Sequence, residues 1–394
     1  KLLILGAGIY QVPLIKKAQE MGLQAISASI PGNYPGFAAA DTCWYLNTPD
    51  AQGLLSAAEK EPIDGVCTTG TDVAVRSLGI LCDKLDLQGL SADASLLLTD
   101  KALMKDAFQK AGVRTPAAIQ VTSFPEAVEA YEKLSPPVIV KAVDSSGSRG
   151  ITRADTLEEL QIAYDNARSV TRTPYVLVEQ FIEAFEIGVD GFVYDHKLQF
   201  LVPHDKFVYQ AGGSFLPAGH HFPYECSPAL LQDIQNQMEL VVKATGMNCC
   251  ALNADILIKD EKAYVLEAGG RCGGTCIPEL ISLHCGFDYY EQMVRCAIGM
   301  PVSFPDPDRA EKTPCMAKLI FSECGGTLTQ LDTGFINSLC SDKIQIHIDY
   351  EEGEYIRPVK NATDRIGHVI MKTDNETELD EVIRLVEAHM TIEP

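Results

Sequence analysis

The chain lacks any run of about 18 apolar residues, so no segment is expected to span a membrane as a helix. Its opening, Lys1-Leu-Leu-Ile-Leu5, passes straight into a glycine turn without a small-residue cleavage site, and is not expected to be a signal peptide. Positive charge is scarce: 32 Lys and Arg stand against 54 Asp and Glu, a net charge of −22. Such a surface repels phosphate backbones and anionic lipid, which argues against nucleic acid and membranes as partners. The 13 cysteines form no pair of CxxC elements, against a structural zinc site. They are expected as free, mostly buried thiols of a cytoplasmic protein. GxxxxGK[ST] is absent, so there is no Walker A loop. No repeat of roughly 20–50 residues and no Ser/His/Asp nucleophile set can be found.

What is present begins as alternating strand and helix. Leu2–Leu5 reads as a strand, Val12–Met21 as a helix, Gln24–Ser29 as a second strand, and Gly65–Cys67 as a later one, with a helix from Val73. This is the doubly wound α/β pattern, in which ligands lie beyond the carboxyl ends of the strands. The first turn, Gly6-x-Gly8-x-x-Gln11, lacks the third glycine of a dinucleotide site, and the second strand ends on Ser29 where a ribose-binding acid would stand. An NAD-dependent oxidoreductase is therefore disfavoured.

From Ser91 the texture changes. Ser91–Lys110 reads as one helix, with Ser95 as a cap and Lys101 and Lys105 one turn apart. An apolar strand, Pro136–Ala142, ends in Lys141 and opens into the loop Asp144-Ser-Ser-Gly-Ser-Arg-Gly150. A lysine so placed can set its ammonium against phosphate while loop amides donate to the same oxygens. Helix Thr156–Ala167, strands Tyr175–Val178, Glu186–Tyr194 and Leu198–Pro203, and a long helix Pro228–Thr245 follow. The stretch Val178-Glu-Gln-Phe-Ile182 offers extended backbone suited to an adenine edge, and Glu186 a carboxylate for ribose hydroxyls. The paired His220-His221 is read as structural.

The most informative feature is a hairpin. Ala251–Lys259 and Ala263–Ala268 read as strands around the turn Asp260-Glu261-Lys262, which places Asp255 directly across from Glu267. Their Cβ atoms would lie about 5 Å apart, where like charges repel. A divalent cation relieves that repulsion, and such pairs commonly share Mg²⁺ with nucleotide phosphates. Glu267 then runs into Ala-Gly-Gly-Arg271-Cys-Gly-Gly-Thr275, whose arginine could face a phosphoryl group or a substrate carboxylate.

In this order, Lys101, Lys141 with its Gly/Ser loop, Glu179–Ile182, Glu186, Asp255, Glu267 and Arg271 resemble the ATP-grasp superfamily of carboxylate–amine ligases, over nearly the whole chain. The resemblance implies an α/β fold in three parts: a Rossmann-like domain at 1–91, a two-lobed nucleotide clamp at 92–302 with a mobile lid at about 115–190, and a small α+β domain at 303–394. It implies ATP and Mg²⁺ as cofactors, one or two ions, with Mn²⁺ as a substitute. Lys101, Lys141, Ser145, Ser146 and Gly147 would meet phosphates. Glu179, Gln180, Phe181 and Ile182 would line the adenine hinge, and Glu186 would hold the ribose. Asp255 and Glu267 would bind metal, and Arg271 and Lys141 would act in catalysis. The implied reaction phosphorylates a small-molecule carboxylate to an acyl-phosphate and joins it to an amine, releasing ADP and phosphate. A monomer or homodimer is expected.

Two departures stand out. Many members carry Glu at Asp255, and many carry a metal-binding Asn where this chain has Gly269; Asn253 is a candidate to compensate. Within the superfamily the chain resembles amino-acid ligases, purine-pathway glycinamide ribonucleotide enzymes, and the ATP domains of biotin carboxylase and carbamoyl-phosphate synthase. A purine-pathway reading wants adjacent arginines where this chain has Asp364-Arg365. A non-catalytic ATP-binding protein is the alternative of another class.

Overall fold

The computed structural model describes residues 1–145, 147, 149–211, 214–306 and 312–394. Four short strands open the chain in a parallel sheet of order 42–44, 25–28, 2–5, 65–67. Leu2–Leu5 is wholly buried, as a strand covered on both faces must be. The glycine turn after it is closed by a side chain. Gln11 is buried, accepts from Gly8 N at 2.8 Å, and would lie 2.9 Å from a Cβ at Gly6.

The helix expected over Ser91–Lys110 is two helices, Ala92–Leu97 and Lys101–Ala111. Ser91, not Ser95, caps the first, accepting from Ala94 N, while Ser95 is buried inside it. Asp100 interrupts the run by accepting from Ala102 N and Leu103 N, a cap worth about 1 kcal/mol. Lys101 consequently stands at a helix start and faces a cavity.

Residues 118–180 form a small lobe of their own. Its antiparallel sheet has the order 118–121, 176–180, 138–141, 151–154. The helices Phe124–Leu134 and Leu157–Val170 cover one side of it and share a separate core around Val138, Val140, Leu160 and Val178. The second helix begins in a capping box, Thr156 with Glu159, as its sequence invites. Glu179 and Gln180 belong to the strand Val176–Gln180, two residues beyond where that strand was expected to stop.

The largest element is an eight-stranded sheet, order 262–269, 250–259, 185–194, 197–211, 214–222, 315–320, 367–371, 344–348. Lys197–Ala211 is far longer than the expected Leu198–Pro203. Its first half pairs with 185–194 and its second half with 214–222. Through Gly219↔Lys318 the ladder runs on into the last quarter of the chain. Beneath it, one core joins Leu3, Ile26 and Leu54 to Ile187, Leu252 and Val265. A second joins Leu14 and Ile15 to Phe192, Leu280 and Ile370.

Candidate active site

The hairpin 250–269 sets the site. Its turn has two residues, Asp260 and Glu261, both at positive φ (49° and 54°), the geometry that twists with the flanking strands. The expected three-residue turn is thus one residue too long. Alone, the shorter turn would bring Leu266 opposite Asp255. A bulge between Asp255 and Ile256 absorbs one residue, and Asp255 stands across from Glu267 as predicted. Two deviations cancel.

Around this pair the structure gathers cations. Lys101 Nζ lies 3.0 Å from Glu267 Oε2 and donates to the Ser145 carbonyl at 2.9 Å. Lys206 donates to Asp255 and, at 2.8 Å, to Glu186. Arg271 reaches Asp72 through Nε at 2.7 Å and Nη2 at 2.6 Å, and Asn253 Oδ1 through Nη1 at 2.8 Å. Asn253 is directly across from Gly269, and its amide nitrogen donates to the buried Asp190 at 2.8 Å. Behind the pair, Glu179 lies between Lys141, which donates to Oε1, and Lys105, whose Nζ makes an ionic contact with Oε2 at 2.8 Å.

The charges are strongly coupled. Burial works to raise Glu267, but Lys101 and Lys141 outweigh it and carry the carboxyl down to about 2. Burial pushes Asp255 up, with Lys206 offsetting this only in part and Glu267 adding to it. Burial lowers Lys105 to about 8 against the pull of Glu179. For Arg271 burial opposes the charge, yet Asp72 and Asp190 prevail and hold it above its ordinary value.

Lys101, Ser145, Asp255, Glu267 and Arg271 line one cavity of 380 Å³. Lys141 and Glu179 form its charged backing, and Glu186 joins it through Lys206. Gln180, Phe181 and Ile182 lie on the stretch leading from the small lobe to the large sheet, outside the lining. There the Gln180 and Phe181 amides donate to Ala117 and Pro137, and Phe181 lies under the Arg153 guanidinium at 4.3 Å. Gly147 is exposed at φ 65°. Ser146 lies outside the described residues.

Sequence reasoning missed Lys206, Asp72 and Asp190, and left Lys105 without a role. Lys206 faces the site because its strand runs on past Pro203, to 15 residues in all. Asp72 comes from the loop that follows the strand 65–67 of the first sheet, where Gly70 N donates to Cys272 O at 3.1 Å. His220 is structural in its packing, buried edge-on to His204 at 4.7 Å, while His204 is bound to Asp190 at 3.0 Å. Cys272 and Cys276 are buried, and burial raises both thiols, as inert spectators require.

The comparisons with known proteins agree with this geometry. The family model described as an ATP-grasp domain matches residues 98–275. The crystal structure of phosphoribosylglycinamide synthetase from Anaerococcus prevotii superposes with a TM-score of 0.83 at 30% identity, covering 100% of this chain and 98% of that one. The chain belongs to the ATP-grasp superfamily of carboxylate–amine ligases. Formate-dependent phosphoribosylglycinamide formyltransferase of Aliivibrio fischeri is 25% identical over 398 residues, 97% of this chain and 95% of that protein. L-amino acid ligase from Bacillus licheniformis shares the fold, with a TM-score of 0.79 at 20% identity over 100% and 98% of the two chains. This ATP-grasp protein is accordingly an ADP-forming enzyme that makes C–N bonds and uses ATP with Mg²⁺. Among the described residues, no helix is long and apolar enough to cross a membrane.

Proposed function

We propose that the 380 Å³ cavity is where ATP phosphorylates a small-molecule carboxylate, and that the acyl-phosphate formed there is captured by an amine. The observation that carries this reading is the convergence of Asp255, Glu267, Lys101 and Arg271 on one cavity from three separate segments. In the first step the carboxylate oxygen bonds to the γ-phosphorus as the bond to ADP breaks. In the second the amine nitrogen bonds to the acyl carbon and loses a proton, and inorganic phosphate leaves with the C–O bond pair.

Asp255 and Glu267 suit Mg²⁺: both are hard oxygen donors, opposed across a ladder, and burial together with the Glu267 charge pushes Asp255 up further than Lys206 brings it down. Among the described residues no group of three or more His, Cys, Asp or Glu could hold a metal ion, so the remaining ligands would be phosphate oxygens and water. Bound there, the ion would neutralise charge on the β- and γ-phosphates. Lys101 and Lys206, now on the carboxylates, would turn to phosphate oxygens. Lys141 with Ser145, Ser146 and Gly147 would hold the phosphate chain. Glu179–Ile182 would take the adenine and Glu186 the ribose. Arg271, fixed by Asp72 and Asn253, would offset the charge that develops on the transferring group. The parts assigned to these roles are 1–91, 92–302 with the lid at about 115–190, and 303–394, in a cytoplasmic monomer or homodimer.

Release of ADP and phosphate, screened across carboxylates and amines, tests the reading. Acceptor-dependent release that disappears in Glu267→Gln supports it. AMP and pyrophosphate as products would overturn it.

A further inference from the structure

A second cavity, 440 Å³, lies on the other side of the Arg271–Thr275 turn. Gly273 and Gly274 line it where Arg271 and Asn253 line the first, so a few residues of backbone separate the two. Its walls come from three distant parts of the chain: Tyr10 and Lys16 of the first helix region, Glu279 of the helix Ile277–Cys285, and the 347–368 strands and loops. Pockets of this size hold small ligands oriented by a few polar groups.

Its charges do not suit a phosphate. Arg365 is the obvious anion receptor, but its guanidinium is buried on Asp349, Nε at 2.7 Å and Nη2 at 3.4 Å from the two carboxylate oxygens. Asp364 beside it is buried too, accepting from the Lys360 and Asn361 amides and the Asn361 side chain as a turn cap. Over the whole lining, Lys16 and Arg365 face Glu279, Asp349 and Glu351, an excess of negative charge.

Its polar atoms are unmet. Glu279 Oε1 accepts from Tyr290 at 2.9 Å, while Oε2 is closed off from solvent with no hydrogen-bond partner among the described residues. The same holds for His368 Nδ1. Burial raises Glu279, and neither the backbone, Tyr290 nor Arg365 brings it back. Burial holds His368 neutral, lowered to about 3 with Arg365 adding to the effect. An unpaired buried acceptor is costly, and a turn of the Glu279 side chain toward a donor held in the cavity would recover that cost.

We infer that this cavity receives the amine partner of the ligation as an unphosphorylated, ammonium-bearing compound of amino-acid size, with Glu279 and Glu351 as its charge determinants. The inference rests on the ligase reading above and specifies its second substrate. It separates the chain from those of its relatives whose names specify a phosphoribosyl compound.

The test uses the full chain with ATP, Mg²⁺ and a carboxylate pool. Acyl-phosphate is trapped with hydroxylamine, and amine use is followed with the twenty amino acids against glycinamide ribonucleotide. Amino acids are expected to be accepted and the ribonucleotide not. Glu279→Gln is expected to raise the amine KM about tenfold while hydroxamate formation and the ATP KM stay within about twofold. Glu351→Gln, at an exposed position whose loss leaves the fold intact, is expected to raise the amine KM about threefold. A ribonucleotide that serves as well as any amino acid overturns the assignment. So does hydroxamate formation with no amino acid accepted, or an amine KM that neither variant moves. A wild-type chain that forms no hydroxamate overturns the ligase reading, and the assignment with it.

Discussion

The two cavities on either side of the Arg271–Thr275 turn treat charge in opposite ways. In the first, cations and carboxylates are matched: Lys101 with Glu267, Lys206 with Asp255, Lys141 with Glu179, Arg271 with Asp72. In the second, one tight pair, Arg365 with Asp349, leaves Glu279 and His368 with unmet atoms, where in the first it is the uncharged Ser145 hydroxyl that is left without a partner among the described residues. A site meant for a polyanion and its metal must hold strong charges of both signs near one another before the ligand arrives, and internal ion pairs do this. A site for a small amine needs only a few acceptors, kept dry and unsatisfied. The difference is the one that the two proposed occupants would require.

The largest effect should come from breaking the first cavity alone. Arg271→Ala is expected to lower kcat by about 10²–10³, the usual cost of losing one donor aimed at developing charge. Single-turnover hydroxamate assays should place the loss in phosphoryl transfer; unchanged transfer with slow amine capture would move Arg271 to the other side of the turn. Asp72→Asn keeps the guanidinium but loosens its anchor, and about a tenfold loss is expected, with the ATP KM little changed. Steady-state kinetics would check this split.

A smaller change sharpens the contrast from the other side. A Cβ at Gly274 would meet the Tyr10 ring at 3.4 Å without backbone strain. Gly274→Ala should therefore raise the amine KM a few-fold and leave nucleotide binding, measured by calorimetry, as it was. Equal effects on both ligands would mean that the turn does not separate two sites.

The smallest effect concerns acid stability. Glu267 stands at about 2 in the fold against an ordinary 4.5, so between those values the unfolded chain binds more protons. Its contribution is present above about pH 4.5 and is lost as pH falls toward 2. Thermal unfolding of the wild type should lose more between these limits than that of Glu267→Gln. Parallel curves would mean that Lys101 does not hold the carboxyl down.

The first cavity was largely legible in the sequence and the second was not, for a physical reason. A hairpin couples residues close in the chain, so Asp255 and Glu267 could be paired on paper, even though the turn was read one residue too long. A strand that ends in a lysine before a Gly/Ser loop is likewise a local signal. Lys206 was lost because its strand continues past Pro203 through His204-Asp205-Lys206, three polar residues in a row that read as the end of a strand. The second cavity joins Tyr10, Glu279 and Arg365, which only the packing of distant elements brings together. Arg365 was noticed only beside Asp364, where a purine-pathway enzyme would want a second arginine; Asp349, which occupies it, lies sixteen residues away, just past the strand 344–348. The break at Asp100 was missed because three consecutive leucines continue the helical pattern up to it.

The cores shared between the first sheet and the large one bear on how the molecule comes to exist. Leu3 and Ile26 share one core with Leu252 and Val265, and Leu14 shares another with Ile370. A ribosome must deliver nearly the whole chain before these surfaces find their cover. Completing these cores closes loops of more than two hundred residues, which predicts slow folding and an early intermediate with exposed apolar surface. The lobe at 118–180, with a core of its own, is the part equipped to form first.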